Sequence, residues 1–529
     1  KDGAQLVIFG TNIAHPQCRL SVRVTECTFL NAMLLLGDLG LHSNDTRRPA
    51  TVAVVGVNTT ASNMPYVLGQ SGSGVPRGVD LIRSRASLPF QYGSNVVITT
   101  AALVGHVTVN GSYAVMVFRN CRFEITRTEA PRADSGQTFY EAPSALGGVA
   151  GSLSVVGGGT FAEVNCTSTN NRGRGTDLRF NAGRLSMFAG CGAMCTTAPA
   201  RTSGLLVSGR GSTLTLMNNT YTTIVAANAV NNNYAAGILE VYNNDAGTVV
   251  THGAVVTLEA STIRVENYPT NGPDSVFTAG IAELVLRTSA HKRTSEFGVR
   301  RVTRTTIDVT SATDGVITTG IFYGFQQMTI EKGAVEQLQN TTVTITGETG
   351  GVRQVNAVSF GLMPGLDLDA IPTSTLVIDD AGTYRVDDSS FDVTGQGASS
   401  ISRVHVIYYN QDQWASGGGG TAPEARNFVL NNNNLRIQNG HRDKYVLRFR
   451  RPVLGRPLSS LPVLTARCNR AGGFSVPLSW FQGSGSGEDS TFRDSDNVRV
   501  YDAYFLLGPC ASAAQYTIPQ AQCTSSRSA

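Results

Sequence analysis

The chain has 529 residues, 15% of them charged, 41% hydrophobic and 7% aromatic, with 57 glycines. Forty-two basic against 38 acidic residues leave a net charge of +4, which excludes a strongly basic nucleic-acid binder and an acidic tail. Disorder is excluded by the combination of apolar content and near-neutral charge, and several separate domains are the default unless the chain is a repeat.

The chain opens at Lys1 without a Met or an apolar leader segment and reads as a processed form or fragment. Its richest apolar stretch, Ala32 to Leu41, is broken by Gly and Asp, so no run long enough for a membrane-spanning helix occurs.

From there a motif recurs: hydrophobic, any residue, Asn or similar, small, Thr or Ser, hydrophobic. It runs through V-T-E-C-T-F (Val24–Phe29), F-R-N-C-R-F-E-I (Phe118–Ile125) and L-M-N-N-T-Y (Leu216–Tyr221). L-E-A-S-T-I-R-V (Leu258–Val265), V-T-R-T-T-I-D-V (Val302–Val309) and L-Q-N-T-T-V-T-I (Leu338–Ile345) follow. The last copies are V-D-D-S-S-F-D-V (Val386–Val393) and L-N-N-N-N-L-R-I (Leu430–Ile437). The hydrophobic residue after the Thr returns about every 45 residues from Phe29 to Leu435.

Between copies lie short β-branched runs bounded by Gly, Asn and Asp, which read as strands. No window holds a 3.6-residue period long enough for an ordinary helix. The expected fold is all-β: a right-handed parallel β-helix over residues 1–440, followed by a cysteine-containing cap or connecting region over 441–529. Each 45-residue repeat is read as two coils of about 22, giving about twenty coils and a rod of about 90–100 Å. A sandwich or propeller is the rival, and no W-D or kelch signature supports a propeller.

The repeat gives single residues their meaning. Asn218, Asn340, Asp388 and Asn432 form a corner ladder, where Asn tolerates left-handed backbone and stacked amides can bond along the column. Cys27, Cys121 and Cys166 fall in the next column, which elsewhere holds Asn219, Ser261, Thr305, Thr341, Ser389 and Asn433, so they read as small corner residues. Six N-x-S/T sequons occur. Those at Asn165, Asn218 and Asn340 belong to the ladder, whereas Asn44, Asn58 and Asn110 lie outside it and are the glycosylation candidates of a secreted chain. Cys191 with Cys195, and Cys468, Cys510 and Cys523 near the C-terminus, are the disulfide candidates; an odd total of nine leaves at least one without a partner in the chain.

Chemistry is hard to place. Glycoside hydrolysis needs two carboxylates on one face, and the adjacent acid pairs of note are Asp379–Asp380 and Asp387–Asp388, the latter in the corner column. The seven histidines, His15, His42, His106, His252, His291, His405 and His441, show no metal spacing, so no metal or cofactor is expected. Glycine runs at Gly417–Gly420 and Gly483–Gly487 lack the Lys-Ser/Thr of a phosphate loop. L-G-R-P (Leu454–Pro457) is an isolated fragment of the pectin methylesterase signature. The basic stretch His441 to Arg456 reads as a strand alternating arginine outward, with acidic glycans or a membrane surface as the alternative partner.

The pattern G-x-x-V-x-L-x-N-N-T with interleaved A-G-I-L-E-V and T-G-I-F-Y-G runs resembles the dispersed gene family of trypanosomatid surface proteins. The similarity covers about residues 15–440, and L-T-A-R-C-N-R (Leu464–Arg470) extends it. The resemblance implies an extracellular or cell-surface location, an adhesive or structural role and no enzymatic site. The expected partners are glycans or other surface proteins, with self-association into a coat or filament and no nucleic acid. A carbohydrate-active β-helix enzyme, a lyase or glycosidase, is the alternative.

Overall fold

The structure, a computed structural model, describes residues 4–13, 20–30, 32–62, 66–68, 96–104, 107–127, 138–145, 153–172, 180–188, 203–225, 234–242, 247–268, 277–285, 291–311, 317–325, 327–347, 354–360, 375–378, 381–395, 403–409, 428–438, 443–450, 464–467, 470–472, 479–484 and 505–508. These contain strands and no helix.

The strands stack in parallel into a β-helix. One coil shows the plan: Tyr234–Tyr242 and Gly247–Thr251 run along the first sheet, Val255–Glu259 forms the second and Thr262–Asn267 the third. Each strand pairs in register with its equivalent one coil on, as in Thr220↔Thr262↔Thr306 and Leu216↔Leu258↔Val302. One pairing departs from this: Tyr66–Leu68 lies antiparallel to Val96–Thr99.

The 45-residue repeat is therefore one coil, not two. The reason lies in the first sheet, where two consecutive strands lie along a single wall, so a repeat contains four strands but a single turn around the axis. The second sheet has twelve strands and the third eleven. At ~4.8 Å per rung the rod is roughly 50 Å long, about half the length expected from 22-residue coils. The strands described beyond residue 440 continue the same stacks. Asp443–Arg450 pairs with Arg403–Tyr409, Leu464–Arg467 with Phe428–Asn431, and Phe505–Gly508 with Leu464–Arg467.

Alternation along each strand fills the interior. In Thr262–Asn267, Ile263, Val265 and Asn267 are buried while Thr262 and Arg264 are exposed, as period-2 patterning requires. Equivalent positions stack like on like: Phe180, Tyr234 and Phe277 lie in successive coils, the first two rings stacked at 4.8 Å.

A glycine column lets the first and third sheets close on each other. A Cβ on Gly237, Gly280 or Gly320 would stand 2.1, 2.2 or 2.4 Å from Ile263 Cγ2, Ile307 Cγ2 or Val343 Cγ1. Gly237 and Gly320 are the first G of the A-G-I-L-E-V and T-G-I-F-Y-G runs, and Gly280 that of A-G-I-A-E-L between them. Gly280→Val should cost about 1–3 kcal/mol by overpacking, read as a lower midpoint in denaturant unfolding.

Candidate functional site

The corner between the second and third sheets is built from two residues. The first has left-handed backbone: Asn120, Asn165, Asn218, Ala260, Arg304, Asn340, Asp388 and Asn432 all have φ between 48 and 54°. The ladder residues Asn218, Asn340, Asp388 and Asn432 thus share one corner position, with Ala260 and Arg304 in the two coils between Asn218 and Asn340. Side-chain bonds up the column form where polar neighbours meet: Asn165 Nδ2 donates to Asn120 Oδ1 at 3.3 Å, and Asn432 Nδ2 to Asp388 Oδ1 at 2.7 Å.

The second corner residue points inward and is small. Its side chain accepts from the backbone N–H one coil earlier: Cys166 N–H to Asn219 Oδ1 at 2.8 Å, Asn219 N–H to Ser261 Oγ at 3.1 Å and Ser389 N–H to Asn433 Oδ1 at 2.9 Å. Cys121 N–H donates to Cys166 Sγ at 3.4 Å. Cys27, Cys121 and Cys166 are free thiols in this column. The Cys121 hydrogen bond and burial push the Cys166 thiol well above its ordinary range.

The other sequence-singled residues scatter. Asn44 and Asn58 are exposed and Asn110 is half-buried. Asp387 is held by Arg385 Nε at 3.0 Å, Gln337 Nε2 at 2.9 Å and Asn431 Nδ2 at 3.1 Å. Asp387 and Asp388 are thus both engaged in corner bonds. Cys191, Cys195, Cys468, Cys510 and Cys523 lie outside the described residues, as do Asp379, Asp380, the Gly417–Gly420 run and residues 441–442 and 451–456 of the basic stretch. Among the described residues no His, Cys, Asp and Glu group has metal-site geometry.

Two arrangements were not visible in the sequence. The first lies at the turn between the first and second sheets. Thr251–Ala254, Ser295–Gly298 and Glu331–Ala334 are equivalent turns, each closed by an N–H to C=O bond from its fourth residue to its first. Both central residues have positive φ: His252 and Gly253, Glu296 and Phe297, Lys332 and Gly333. Phe297, at φ 61° and 73% exposed, stands where its neighbours have glycine. A bulky residue there is an outlier. Tyr113, also exposed, is the third residue of the Gly111–Ala114 turn four coils away, about 19 Å along the rod, without the left-handed backbone of Phe297. Beside Phe297, Glu296 accepts from Thr251 Oγ1 at 3.0 Å and pairs with His252 Nε2 at 2.8 Å and Lys332 Nζ at 3.3 Å. The Thr251 hydroxyl and the Lys332 ammonium hold the Glu296 carboxyl below its usual range. The signal in the sequence was a phenylalanine in S-E-F-G where other copies read T-H-G-A and E-K-G-A.

The second arrangement is inside. Glu163 pairs with Arg184 at 3.3 Å and accepts from Tyr221 at 3.0 Å, all fully buried. Further along, Lys292 Nζ lies 3.0 Å from Glu283 Oε2 and 3.1 Å from Glu336 Oε2. Arg300 Nη2 is 2.8 Å from Glu283 Oε1, and Thr294 Oγ1 donates to Glu336 Oε1 at 2.7 Å. Lys292 also sits 4.1 Å from the centre of the Tyr323 ring. A cavity of about 70 Å³ adjoins this cluster, lined by Glu240, Lys292, Arg300, Tyr323 and apolar neighbours. Burial raises the carboxyls of Glu163 and Glu283, opposed in each case by the arginine partner.

Comparison with protein-family models and with curated proteins found no match.

Two predictions test this geometry. Asn219 also donates from Nδ2 to Glu163 O and Tyr221 Oη, both at 3.0 Å. Asn219→Leu should therefore cost at least about 1–3 kcal/mol by stranding buried groups, whereas Asn219→Ser, a residue the column already accepts, should cost less in the same unfolding assay. The second concerns pH. Glu163 titrates above its ordinary value of 4.5 in the folded state, so its contribution is full below that value and lost as pH rises through the folded pKa. The stability of the native chain relative to Glu163→Gln should fall as pH rises above about 4.5, measured as paired denaturation midpoints; a flat difference would contradict the assignment.

Proposed function

We propose that the chain is a non-enzymatic extracellular structural or adhesive protein, of the β-helical surface type seen in the dispersed gene family of trypanosomatids, that meets glycans or other proteins along its turn ridge. The observation that carries this reading is Phe297. Left-handed backbone costs a non-glycine residue about 1–3 kcal/mol, and an exposed aromatic ring gains nothing from the core in return. Glycine fills the same position on both sides, so the fold does not need the ring. A partner surface does, because aromatic side chains supply large rigid contact area with a low entropy cost. The charged groups of Glu296, His252 and Lys332 beside it supply directional bonds, and Tyr113 offers a second ring on the same ridge.

The outward side of the third sheet supports a contact role as well. Thr220, Thr222, Thr262, Thr306, Thr342 and Thr344 stand there in register, interrupted by matched charges such as Arg264 with Glu266. Exposed sequons at Asn44 and Asn58 fit a secreted glycoprotein, and the open strand edges of the stacks provide a route to end-to-end assembly.

The test pairs binding with stability. Phe297→Gly should leave the unfolding midpoint unchanged or raise it, while reducing retention on an array of immobilised glycans and surface proteins by about tenfold or more. Release of product from a pectin or glycosaminoglycan panel, abolished by Asp387→Ala, would overturn the non-enzymatic reading.

A further inference from the structure

We infer that Lys292 and Glu336 form an intramolecular amide bond that ties one coil to the next, with Glu283 as the general base. The inference is independent of what the outer ridge binds. It starts from an anomaly: Lys292 and Glu283 keep 1% and 5% of their side-chain surface and Glu336 keeps 3%, although no apolar fold requires a lysine at its axis. Two carboxylates lie within 3.1 Å of one amine, and Arg300 makes its direct ion pair with Glu283.

The roles follow from the partners. Glu283 faces the Arg300 guanidinium at 2.8 Å, which opposes the effect of burial on its carboxyl and places an acceptor beside the Lys292 amine, the position of a base. Glu336 Oε1 accepts from the Thr294 hydroxyl at 2.7 Å, a donor aimed at the oxygen on which charge would build. The Lys292 stem is walled by Tyr323, whose ring centre is 4.1 Å from Nζ, and by Phe325 at 5.9 Å.

The step balances without a co-reactant. The Lys292 ammonium hands one proton to Glu336 Oε2, leaving an amine and a carboxylic acid. The amine lone pair attacks Cδ of Glu336, the N–C bond forms, and the C=O electron pair moves onto Oε1, where Thr294 donates. Glu283 takes a second proton from the nitrogen and returns it to Oε2. The C–Oε2 bond then breaks and water leaves. The products are one amide N–H, one water and the regenerated Glu283 carboxylate on Arg300. The adjoining cavity of about 70 Å³ has room for the departing water. Two of the four buried charges disappear, which removes a desolvation cost of several kcal/mol per ion, and the new bond joins strands of neighbouring coils 44 residues apart.

The experiment is an intact-mass measurement on the folded full-length protein after reduction and alkylation of its cysteines. The expected mass is lower than the sequence mass by one water, and proteolysis should yield a branched peptide joining the segments that carry Lys292 and Glu336. Lys292→Met should restore the full mass. Glu283→Gln, which keeps both bonding partners, should slow the water loss by about 100-fold or more, with far-ultraviolet circular dichroism verifying that each variant remains β-structured. A wild-type mass equal to the sequence mass overturns the proposal without reference to any variant. A branched peptide joining Lys292 to Glu283 overturns the assignment of Glu336 as the acyl partner.

Discussion

The structure depends on one corner. Between the second and third sheets the chain must reverse its direction across two residues, which demands left-handed backbone at the first and leaves buried N–H groups at both. The first N–H bonds to the carbonyl that ends the second-sheet strand one coil on, as Asn218 N–H does to Glu259 O; the residue after the corner bonds back one coil, as Thr220 N–H does to Cys166 O. The remaining inward N–H is met by a small side chain of the next coil. Every coil therefore depends on its neighbour, which is why no coil is a domain in itself. The order of importance is visible at Gly56 and Val57. There the ladder amide and the inward acceptor are both missing, yet Gly56 N–H still reaches Arg119 O and Asn58 N–H still reaches Cys27 O. The backbone conformation is the constraint, and the side chains relieve it.

That constraint made the fold legible. Few residues accept left-handed backbone and few are small acceptors, so the N-N-T, D-S-S and R-T-T copies stand out against a Thr-rich background. The same corner could have given the coil length. It occurs once per 45 residues, whereas a 22-residue coil would need one every turn. Reading each set of apolar runs as a complete turn overlooked that strands such as Tyr234–Tyr242 and Gly247–Thr251 belong to one wall. Period-2 patterning identifies a strand and its faces but carries no information about which sheet the strand joins.

The ridge and the interior cluster differ in how far they could be read. Phe297 breaks a glycine column that is present in the sequence, but the column becomes meaningful once the turn geometry shows that both central residues need positive φ. Lys292, Glu283 and Glu336 carry no local signal at all. They lie on three strands, two of them in one coil and the third in the next, and an isolated lysine in H-K-R-T reads as a surface residue. Only the register, Arg300↔Glu336 and His291↔Gln327, brings the second coil's carboxylate over the first coil's amine.

Why charges persist at the axis follows from the corner's uniformity. A corner that repeats ten times cannot distinguish one coil from the next, and apolar interior columns of Val, Ile and Leu tolerate exchange among themselves. A stack held by these alone has neighbouring registers of similar energy. The buried charges are not interchangeable. Glu163 needs Arg184 and Tyr221, and before the amide forms Glu336 needs Lys292 and Thr294; in any shifted stacking of the folding chain an ionised side chain would face Ile or Phe at a cost of several kcal/mol. Replacing such groups with apolar residues of equal volume can stabilise a core, so their presence points to selection for one ordering of coils over its neighbours. In a chain with only 15% charged residues, the ionised groups placed at the axis spend scarce charge on the order of the coils.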